Sequence, residues 1–292
     1  MITLKKELTE EEVELLTWFL ESQEESYWIL EQKEPRDPFY LFGYFDKKNE
    51  ATDAFRVLLT DVQGLTEGFE LETLEDQDWK EAYKLHLKYW SDRHLHWIPL
   101  WEKEDRAAPE GQAFIYLDSG MAFGTGAHET TRLCARRLVD FAERHASFDS
   151  LNIVDAGCGS GILALSARAL GFQQVSGFDF DPEAVRIADE HNDFNAHLSP
   201  IPFSVGSVPD DLEAASADLL LANIQTNILV PCATALVSAV APGGTLALSG
   251  ILKEEIDQVS DAIRAAAKKS EREIKEEDSR IDGQWADLLV LF

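Results

Sequence analysis

Three glycines at every second position follow an acid at the end of an apolar run, in the stretch Asp155-x-Gly157-x-Gly159-x-Gly161. Glycine adopts backbone angles that other residues avoid, and its missing side chain lets a ligand approach the main chain closely. A helical pattern begins directly after Gly161, and the first N–H groups of a helix have no partner within it. These residue types in this order predict a strand, a tight turn and a helix that hold a nucleotide-like ligand.

The spacing of the glycines separates this turn from the dinucleotide-binding fingerprint Gly-x-Gly-x-x-Gly. That fingerprint would need its third glycine at position 162, where the chain has Ile162. A nicotinamide-dependent dehydrogenase is excluded mainly for this reason. The acid at Asp155 is also foreign to the fingerprint. The stretch instead resembles motif I of the S-adenosylmethionine (SAM) methyltransferases, whose ligand contains no pyrophosphate.

Two polar residues end neighbouring predicted strands. Asp179 closes a strand that begins at Gln174, and it stands 22 residues after Gly157. An acid at this distance meets the ribose in βαβ nucleotide sites. Asn223 ends the apolar run that begins at Ala217, and the carboxyl end of a parallel strand faces the ligand crevice. We therefore expect Asp179 to accept hydrogen bonds from both ribose hydroxyls and Asn223 to face the ligand.

A second glycine-rich stretch lies between Leu117 and Thr131. It contains three glycines and three threonines around the single Phe123, with Gly124 beside it, and this composition is poor for a core element. Flexible backbone beside an aromatic ring and hydroxyls suits a lid over an adenosyl group. Thr130 or Thr131 then begins a helix, and His128 before it is either a general base or a part of the helix start.

The remaining periodicity predicts the elements that position these residues. Helices are expected at 163–170, from Pro182, at 227–240 and at 253–269, and further strands at 201–205 and 245–250, with a closing pair of strands at 271–276 and 285–292. A connecting helix is expected from Leu74 to Asp92. His94 and His96 alternate after it without further ligands nearby, so we treat them as structural and predict no metal site.

Residues 1–72 are predicted to form a small α+β unit with the element order β-α-β-β-α-β, which is that of a ferredoxin-like fold. Thr9 and Glu12 are spaced as a capping box at the first helix start. No cluster in this region resembles a catalytic site. The first 100 residues hold 23 of the 54 acidic residues and 11 of the 26 basic ones, which suits a module that docks a basic protein.

The whole chain is strongly acidic, with a formal net charge of −28 over 292 residues. Such a surface repels phosphate backbones and attracts a basic partner, although it also fits a merely solvated surface. The cysteines Cys134, Cys158 and Cys232 show no C-x-x-C spacing and suit a reducing cytosol. Because no apolar run has the length of a membrane span and no signal-peptide pattern opens the chain, we expect a cytoplasmic protein that does not bind membranes. The acidic surface argues against direct nucleic-acid binding. We also expect a monomer.

The order of motifs resembles the PrmA family, the methyltransferases of ribosomal protein L11. Four places carry the resemblance, which extends from about Trp79 to the C-terminus: Gly120-Met121-Ala122-Phe123-Gly124-Thr125-Gly126-x-His128-x-Thr130-Thr131, Asp155 to Ala164, Gly177-x-Asp179-x-Asp181-Pro182, and Ala222-Asn223-Ile224 followed by Ser249-Gly250-Ile251-Leu252. The resemblance implies an α/β fold: a Rossmann-like, seven-stranded SAM-dependent methyltransferase domain at 101–292, a linker helix and connector at 73–100, and an N-terminal substrate-recognition domain at 1–72.

The resemblance also implies roles for single residues. Thr131, Gly157, Asp179 and Asn223 match positions that contact SAM in the family, and the expected cofactor site is completed by Phe123, Gly124, Asp155 and Gly159. Asn223 and His128 are the candidate catalytic residues, with Asn223 accepting an amine N–H. The implied reaction is methyl transfer from SAM to lysine ε-amino or N-terminal α-amino groups of a basic protein, with S-adenosylhomocysteine as the second product.

Two departures from the family leave the methylated protein open. Ser119 stands where proline is usual, and Gln225-Thr226-Asn227 replaces a run of small residues. The alternatives are a lysine methyltransferase with another target, such as the electron-transfer flavoprotein β-subunit, or a non-catalytic SAM-fold module in ribosome assembly. A small-molecule methyltransferase would not need the acidic N-terminal unit.

Overall fold

A computed structural model of the chain describes residues 2–21, 28–32, 38–45, 47–62, 64–73, 88–118 and 128–292. It divides into two compact units, Met1–Tyr83 and Lys84–Phe292. Among the helices within these described ranges, none is long and apolar enough to cross a membrane.

In the described residues, the first unit is a four-stranded antiparallel sheet with two helices. Its elements are β1 (Ile2–Leu8), α1 (Glu10–Glu21), β2 (Trp28–Glu31), β3 (Phe39–Phe45), α2 (Lys48–Asp61) and β4 (Glu70–Thr73). The strands lie in the order β2-β3-β1-β4, and each neighbouring pair is antiparallel. Strand order and element order both confirm the ferredoxin-like fold expected for this region.

A buried charged network joins the start of α1 to β1 and to Thr66. The predicted capping box is present, because the Thr9 N–H donates to Glu12 Oε2 at 3.0 Å and the Glu12 N–H donates to Thr9 Oγ1 at 3.3 Å. Glu12 Oε1 accepts from the Thr66 backbone N–H at 2.9 Å and lies 3.2 Å from Lys6 Nζ. Burial opposes the charge of Glu12, but the hydrogen bonds from Thr9, Thr66 and Lys6 outweigh it and lower the pKa of Glu12 to about 2.

Substituting Glu12→Gln is expected to destabilise the first unit by about 2 kcal/mol at pH 7, because Lys6 then lies buried without its counter-charge. The pKa of Glu12 is lower in the folded than in the unfolded chain. The carboxylate therefore stabilises the fold above pH ~4.5, and this contribution is lost as the pH falls toward 2. Hydrogen exchange of the β1 amides measures the effect, with the exposed Glu72→Gln as control. A difference between variant and wild type that persists undiminished at pH 2 would contradict this account.

The second unit contains a seven-stranded sheet and a smaller three-stranded one. The small sheet consists of β5 (Trp90–Asp92), β6 (Leu95–Pro99) and β7 (Ala113–Leu117). After α3 (Glu129–Glu143), the chain continues through β8 (Asn152–Ala156), α4 (Ile162–Ala169), β9 (Gln174–Asp179), α5 (Pro182–Phe194), β10 (Phe203–Val205), β11 (Ala217–Asn223), α6 (Thr226–Ala239), β12 (Val240–Leu252), α7 (Ile256–Lys269), β13 (Glu276–Asp282) and β14 (Trp285–Leu291).

The large sheet has the order β10-β9-β8-β11-β12-β14-β13, with every neighbouring pair parallel except those that involve β14. One apolar cluster packs α3 and α4 on one face, and a second packs α6 and α7 on the other. Helices on both faces of a mostly parallel sheet confirm the Rossmann-like α/β class. The strand order reverses between β8 and β11, and their carboxyl ends carry Ala156 and Asn223, so the expected ligand crevice lies there.

Two of the predicted elements are wrong in part. The helix expected from Leu74 to Asp92 has its residues 74–87 outside the described part of the chain, and Trp90–Asp92 is a strand. It pairs with β6 across a tight turn in which Arg93 has a φ of 49°. The strand expected at 271–276 begins only at Glu276, because residues after α7 are needed to return to the sheet edge. β13 lies on that edge and so tolerates charged residues.

Candidate functional site

The turn after β8 requires its glycines. Gly157, Gly159 and Gly161 have φ values of 71°, 52° and 75°, a region that other residues rarely adopt. A Cβ on Gly157 would also lie 2.6 Å from Cγ2 of Ile224, which is closer than such atoms approach. The N–H groups of Gly157 and Cys158 both donate to the Phe178 carbonyl at 2.9 Å, so the turn is fixed to the end of β9.

Asp155 lies behind this turn. Its Oδ2 accepts from the Ala164 backbone N–H at 3.0 Å in the first turn of α4, and its side chain is buried. Burial raises the pKa of Asp155 to about 7. The hydrogen bond from the Ala164 N–H lowers this pKa, whereas the nearby charge of Asp179 raises it further. Asp155 is not among the residues that line the adjacent cavity. Its position shows a carboxyl that joins the turn to the helix, whereas its predicted contact with the cofactor stays a prediction.

Asp179 forms one wall of the cavity and organises the backbone around it. Its Oδ2 accepts from the Gly159 N–H at 2.8 Å and its Oδ1 accepts from the Asp181 N–H at 3.0 Å. Ionised carboxylates offer about four acceptor positions. Two positions therefore remain for hydroxyl donors of a ligand, which is the role that its spacing from the glycines predicts.

Asn223 ends β11 on the other side of the glycine turn. Its Nδ2 donates to Thr131 Oγ1 at 3.3 Å, and its Oδ1 is buried without a hydrogen-bond partner among the described residues. Asn223 lines the cavity, as does Thr130, while Thr131 lies fully buried behind the asparagine. The structure thus places a fixed acceptor without a described donor at the cavity. A buried acceptor that lacks a donor lowers the stability of the fold, and a ligand that donates to it removes this penalty.

His128 also lines the cavity, but its ring serves the start of α3. As the N-cap residue, it accepts from the Thr130 N–H through Nδ1 at 3.4 Å, and the same nitrogen lies 2.8 Å from Thr130 Oγ1. The ring packs edge-on against Trp285, with centroids 4.9 Å apart. Because an accepting Nδ1 places the proton of a neutral ring on Nε2, this arrangement leaves no free lone pair for a general base. The geometry favours the role in the helix start.

The cavity encloses about 490 Å³, within the range of small-molecule sites. Several residues in its wall escaped the sequence prediction, among them Phe180, Ile228 and Trp285. Phe180 is 76% exposed. It directly follows Asp179, the acid predicted to bind the ribose, and this position is the signal that could have identified it. The wall as a whole consists of His128, Thr130, Gly157, Gly159, Asp179, Phe180, Asp181, Glu183, Ala184, Asn223, Ile224, Gln225, Ile228, Gly250 and Trp285.

These residues fit SAM. A glycine turn that a Cβ would obstruct, a carboxylate with spare acceptor positions and an exposed aromatic ring suit the adenosine portion. The Oδ1 of Asn223 adds an acceptor that has no partner among the residues the structure describes. Phe180 and Ile228 are apolar side chains of the wall that are exposed to solvent. The predicted contacts from Phe123 and Gly124 lie outside the described residues.

Comparison with known proteins gives consistent matches. The model of the family described as "Ribosomal protein L11 methyltransferase (PrmA)" matches residues 6–285. The ribosomal protein L11 methyltransferase of Pseudomonas paraeruginosa is 36% identical over 230 residues, which cover 77% of this chain and 74% of that protein. The protein of the same name from Ectopseudomonas mendocina is 35% identical over 246 residues, covering 84% and 80%.

One solved structure extends this similarity to the fold. The ribosomal protein L11 methylase from Lactobacillus delbrueckii subsp. bulgaricus superposes with a TM-score of 0.56 and 29% sequence identity. The superposition covers 68% of this chain and 94% of the other. Sequence and structure comparisons therefore agree.

Proposed function

We propose, from the premise that this chain belongs to the PrmA family of ribosomal protein L11 methyltransferases, that it methylates amino groups of ribosomal protein L11. Membership in the family makes the chain a SAM-dependent methyltransferase of EC class 2.1.1. The acceptors that we propose are lysine ε-amino and N-terminal α-amino groups. Because ribosomal proteins are the substrates, we place the reaction in the cytoplasm.

A single observation supports an amine acceptor most directly. Asn223 presents at the cavity a buried Oδ1 that has no hydrogen-bond partner within the described part of the chain, while its Nδ2 donates to Thr131. An oxygen fixed in this way can accept one N–H of an amine and so orient the nitrogen lone pair. Orientation of this kind is a large part of what a protein contributes to a displacement reaction.

Bound SAM supplies the methyl group as an electrophilic sulfonium, and the residues of this chain supply position and electrostatics. The acceptor amine must be neutral before it reacts. For a lysine at pH 7 this costs about 4.6 kcal/mol, and for an α-amino group near pKa 8 about 1.4 kcal/mol. Burial beside Trp285 and Ile224 lowers the pKa of an amine, since desolvation disfavours its charged form. No protein base is required for this step if the proton leaves to solvent before the amine enters.

The N-terminal unit, whose residues 1–72 we propose as the substrate-recognition domain, would dock the protein substrate. Its strong negative charge complements the basic surface of a ribosomal protein and speeds the encounter. We propose that residues 101–292 form the methyltransferase domain and residues 73–100 the connection. We further propose that a monomer acts on the free protein without binding nucleic acid, because the acidic surface repels phosphate backbones.

The expected result of a labelling experiment is transfer of methyl label from SAM to purified L11, with one dominant labelled band of that size in cell extract. Raising the salt concentration should reduce labelling of the protein more than it reduces SAM binding, because attraction between exposed charges is screened. The control replaces L11 with lysozyme, a basic protein of unrelated sequence.

The outcomes separate the alternatives. Labelling of another protein in the extract, with L11 unlabelled, would replace the proposed substrate and leave the enzyme class intact. Absence of label on any protein, together with measurable SAM binding, would favour a binding module in ribosome assembly.

A further inference from the structure

His191, in the last half of α5, joins two separate backbone segments next to the cavity. Its ring is buried, and Nδ1 lies 2.7 Å from the Ser160 carbonyl oxygen in the glycine turn. The Asp118 N–H, at the end of β7, donates to Nε2 at 3.2 Å. Nε2 also lies 3.2 Å from the Asp118 carbonyl oxygen. Because the nearer Ser160 carbonyl can only accept, Nδ1 carries the proton of a neutral ring, and Nε2 then accepts from the Asp118 N–H. Burial lowers the pKa of His191, which keeps the ring in this neutral form.

Asn195, one helical turn further, completes the contact with β7. The Tyr116 N–H donates to Asn195 Oδ1 at 2.7 Å, and Asn195 Nδ2 donates to the Tyr116 carbonyl at 2.8 Å. One residue of an adjacent antiparallel strand would exchange the same two bonds. β7 pairs with β6 along its other edge. The Asn195 amide therefore forms, at the outer edge of the sheet, the hydrogen bonds that a neighbouring strand would form.

The helix that carries both side chains contacts the cavity at its opposite end. Asp181 caps α5 by accepting from the Glu183 N–H at 2.9 Å, and Asp181, Glu183 and Ala184 line the cavity. α5 therefore touches the cavity with its first turn and holds the glycine turn and β7 with its last turns. The glycine turn, which lines the cavity, and β7, which does not, are thus both held by a helix whose first turn is part of the cavity wall.

We propose that His191 and Asn195 are positioning residues for SAM binding, holding the end of β7 and the glycine turn in the arrangement that the cofactor requires. Without the imidazole, the hydrogen bonds that tie Ser160 and Asp118 to α5 are lost, and the positions of the glycine turn and of the end of β7 relative to the helix are less fixed. SAM then has to restore the arrangement on binding, which weakens its affinity. The inference rests on SAM binding and not on which protein is methylated.

The experiment uses variants of the full-length chain that keep one or neither of the two hydrogen bonds of the His191 ring. His191→Asn reaches only as far as Nδ1 and can keep the bond to Ser160, while His191→Gln reaches as far as Nε2 and can keep the bond to Asp118. His191→Phe retains the ring shape and loses both bonds. We expect calorimetric titration with SAM to give a Kd raised about tenfold for His191→Phe, with smaller increases for the two amides.

Asn152→Ala is the matched control. Its amide also donates to a backbone carbonyl, that of Ser216 at 3.0 Å, but it does so at the opposite end of β8. A loss of thermal stability in this control with an unchanged SAM Kd shows that destabilisation alone does not weaken binding.

A SAM Kd within twofold of wild type in His191→Phe would overturn the proposal. Should that variant not fold, the two amide variants decide, and unchanged affinity in both overturns it equally. Because SAM binding is measured directly, failure to label L11 does not affect this test.

Discussion

Replacing Asn223 with alanine is expected to lower kcat about 100-fold and to change the SAM Kd by less than about threefold. The substitution removes the Oδ1 that we propose as the acceptor for the substrate amine, an oxygen that no described residue donates to. The neighbouring contacts expected to hold the cofactor, at Asp179 and the glycine turn, remain in place. Single-turnover methylation of L11 measures the chemical step, and calorimetric titration with SAM measures binding. An equal loss in both quantities would make Asn223 a cofactor contact only.

Two further variants separate orientation from general damage. Thr131→Val removes the hydroxyl that receives the Asn223 amide at 3.3 Å, so the oxygen stays but its direction is less fixed. We expect a loss in kcat smaller than that of Asn223→Ala. The control Asn227→Ala removes an exposed asparagine in the first turn of α6, four residues after Asn223. This variant should have the kcat and the SAM Kd of wild type.

The glycine turn and its acid could be predicted because the physical requirements are local. Gly157 and Gly161 need positive φ, and only glycine adopts it at little cost, so the sequence pattern and the backbone geometry correspond directly. Asp179 follows the turn at a distance set by one helix and one strand. Asn223 could be predicted for the same reason, since a polar residue at the carboxyl end of an apolar strand faces the ligand crevice of a parallel sheet.

The residues that escaped prediction depend on contacts between distant parts of the chain. Trp285 reaches the cavity wall because β14 inserts antiparallel beside β12, and no local pattern indicates that insertion. His191 and Asn195 resemble ordinary polar positions of an amphipathic helix, yet both are buried against β7. Asp155 lies behind the turn, buried and bonded to the Ala164 N–H, and its predicted contact with the cofactor stays a prediction.

Replacing Asp179 with alanine is expected to weaken SAM binding about 100-fold or more. The substitution removes two free acceptor positions toward the cavity together with the bonds from the N–H groups of Gly159 and Asp181. Hydrogen bonds to a charged group contribute about 1.5–3 kcal/mol each, so losing those to both ribose hydroxyls accounts for an effect of this size. Calorimetric titration with SAM measures it, and kcat at saturating SAM should fall much less than affinity.

The charge and the shape of Asp179 can be separated by Asp179→Asn, which keeps one acceptor oxygen and the side-chain volume. We expect an intermediate affinity, because an amide can accept from the Gly159 N–H or the Asp181 N–H but not from both. The exposed Asp189→Asn on α5 removes a charge of the same sign outside the cavity wall and controls for the overall field. If Asp179→Ala bound SAM like wild type but lost turnover, the carboxylate would act on the reaction and the assignment of the ribose side of the cavity would be wrong. Opposite effects of the Asp179 and Asn223 substitutions on affinity and turnover would instead establish that one cavity has a binding side and a reacting side.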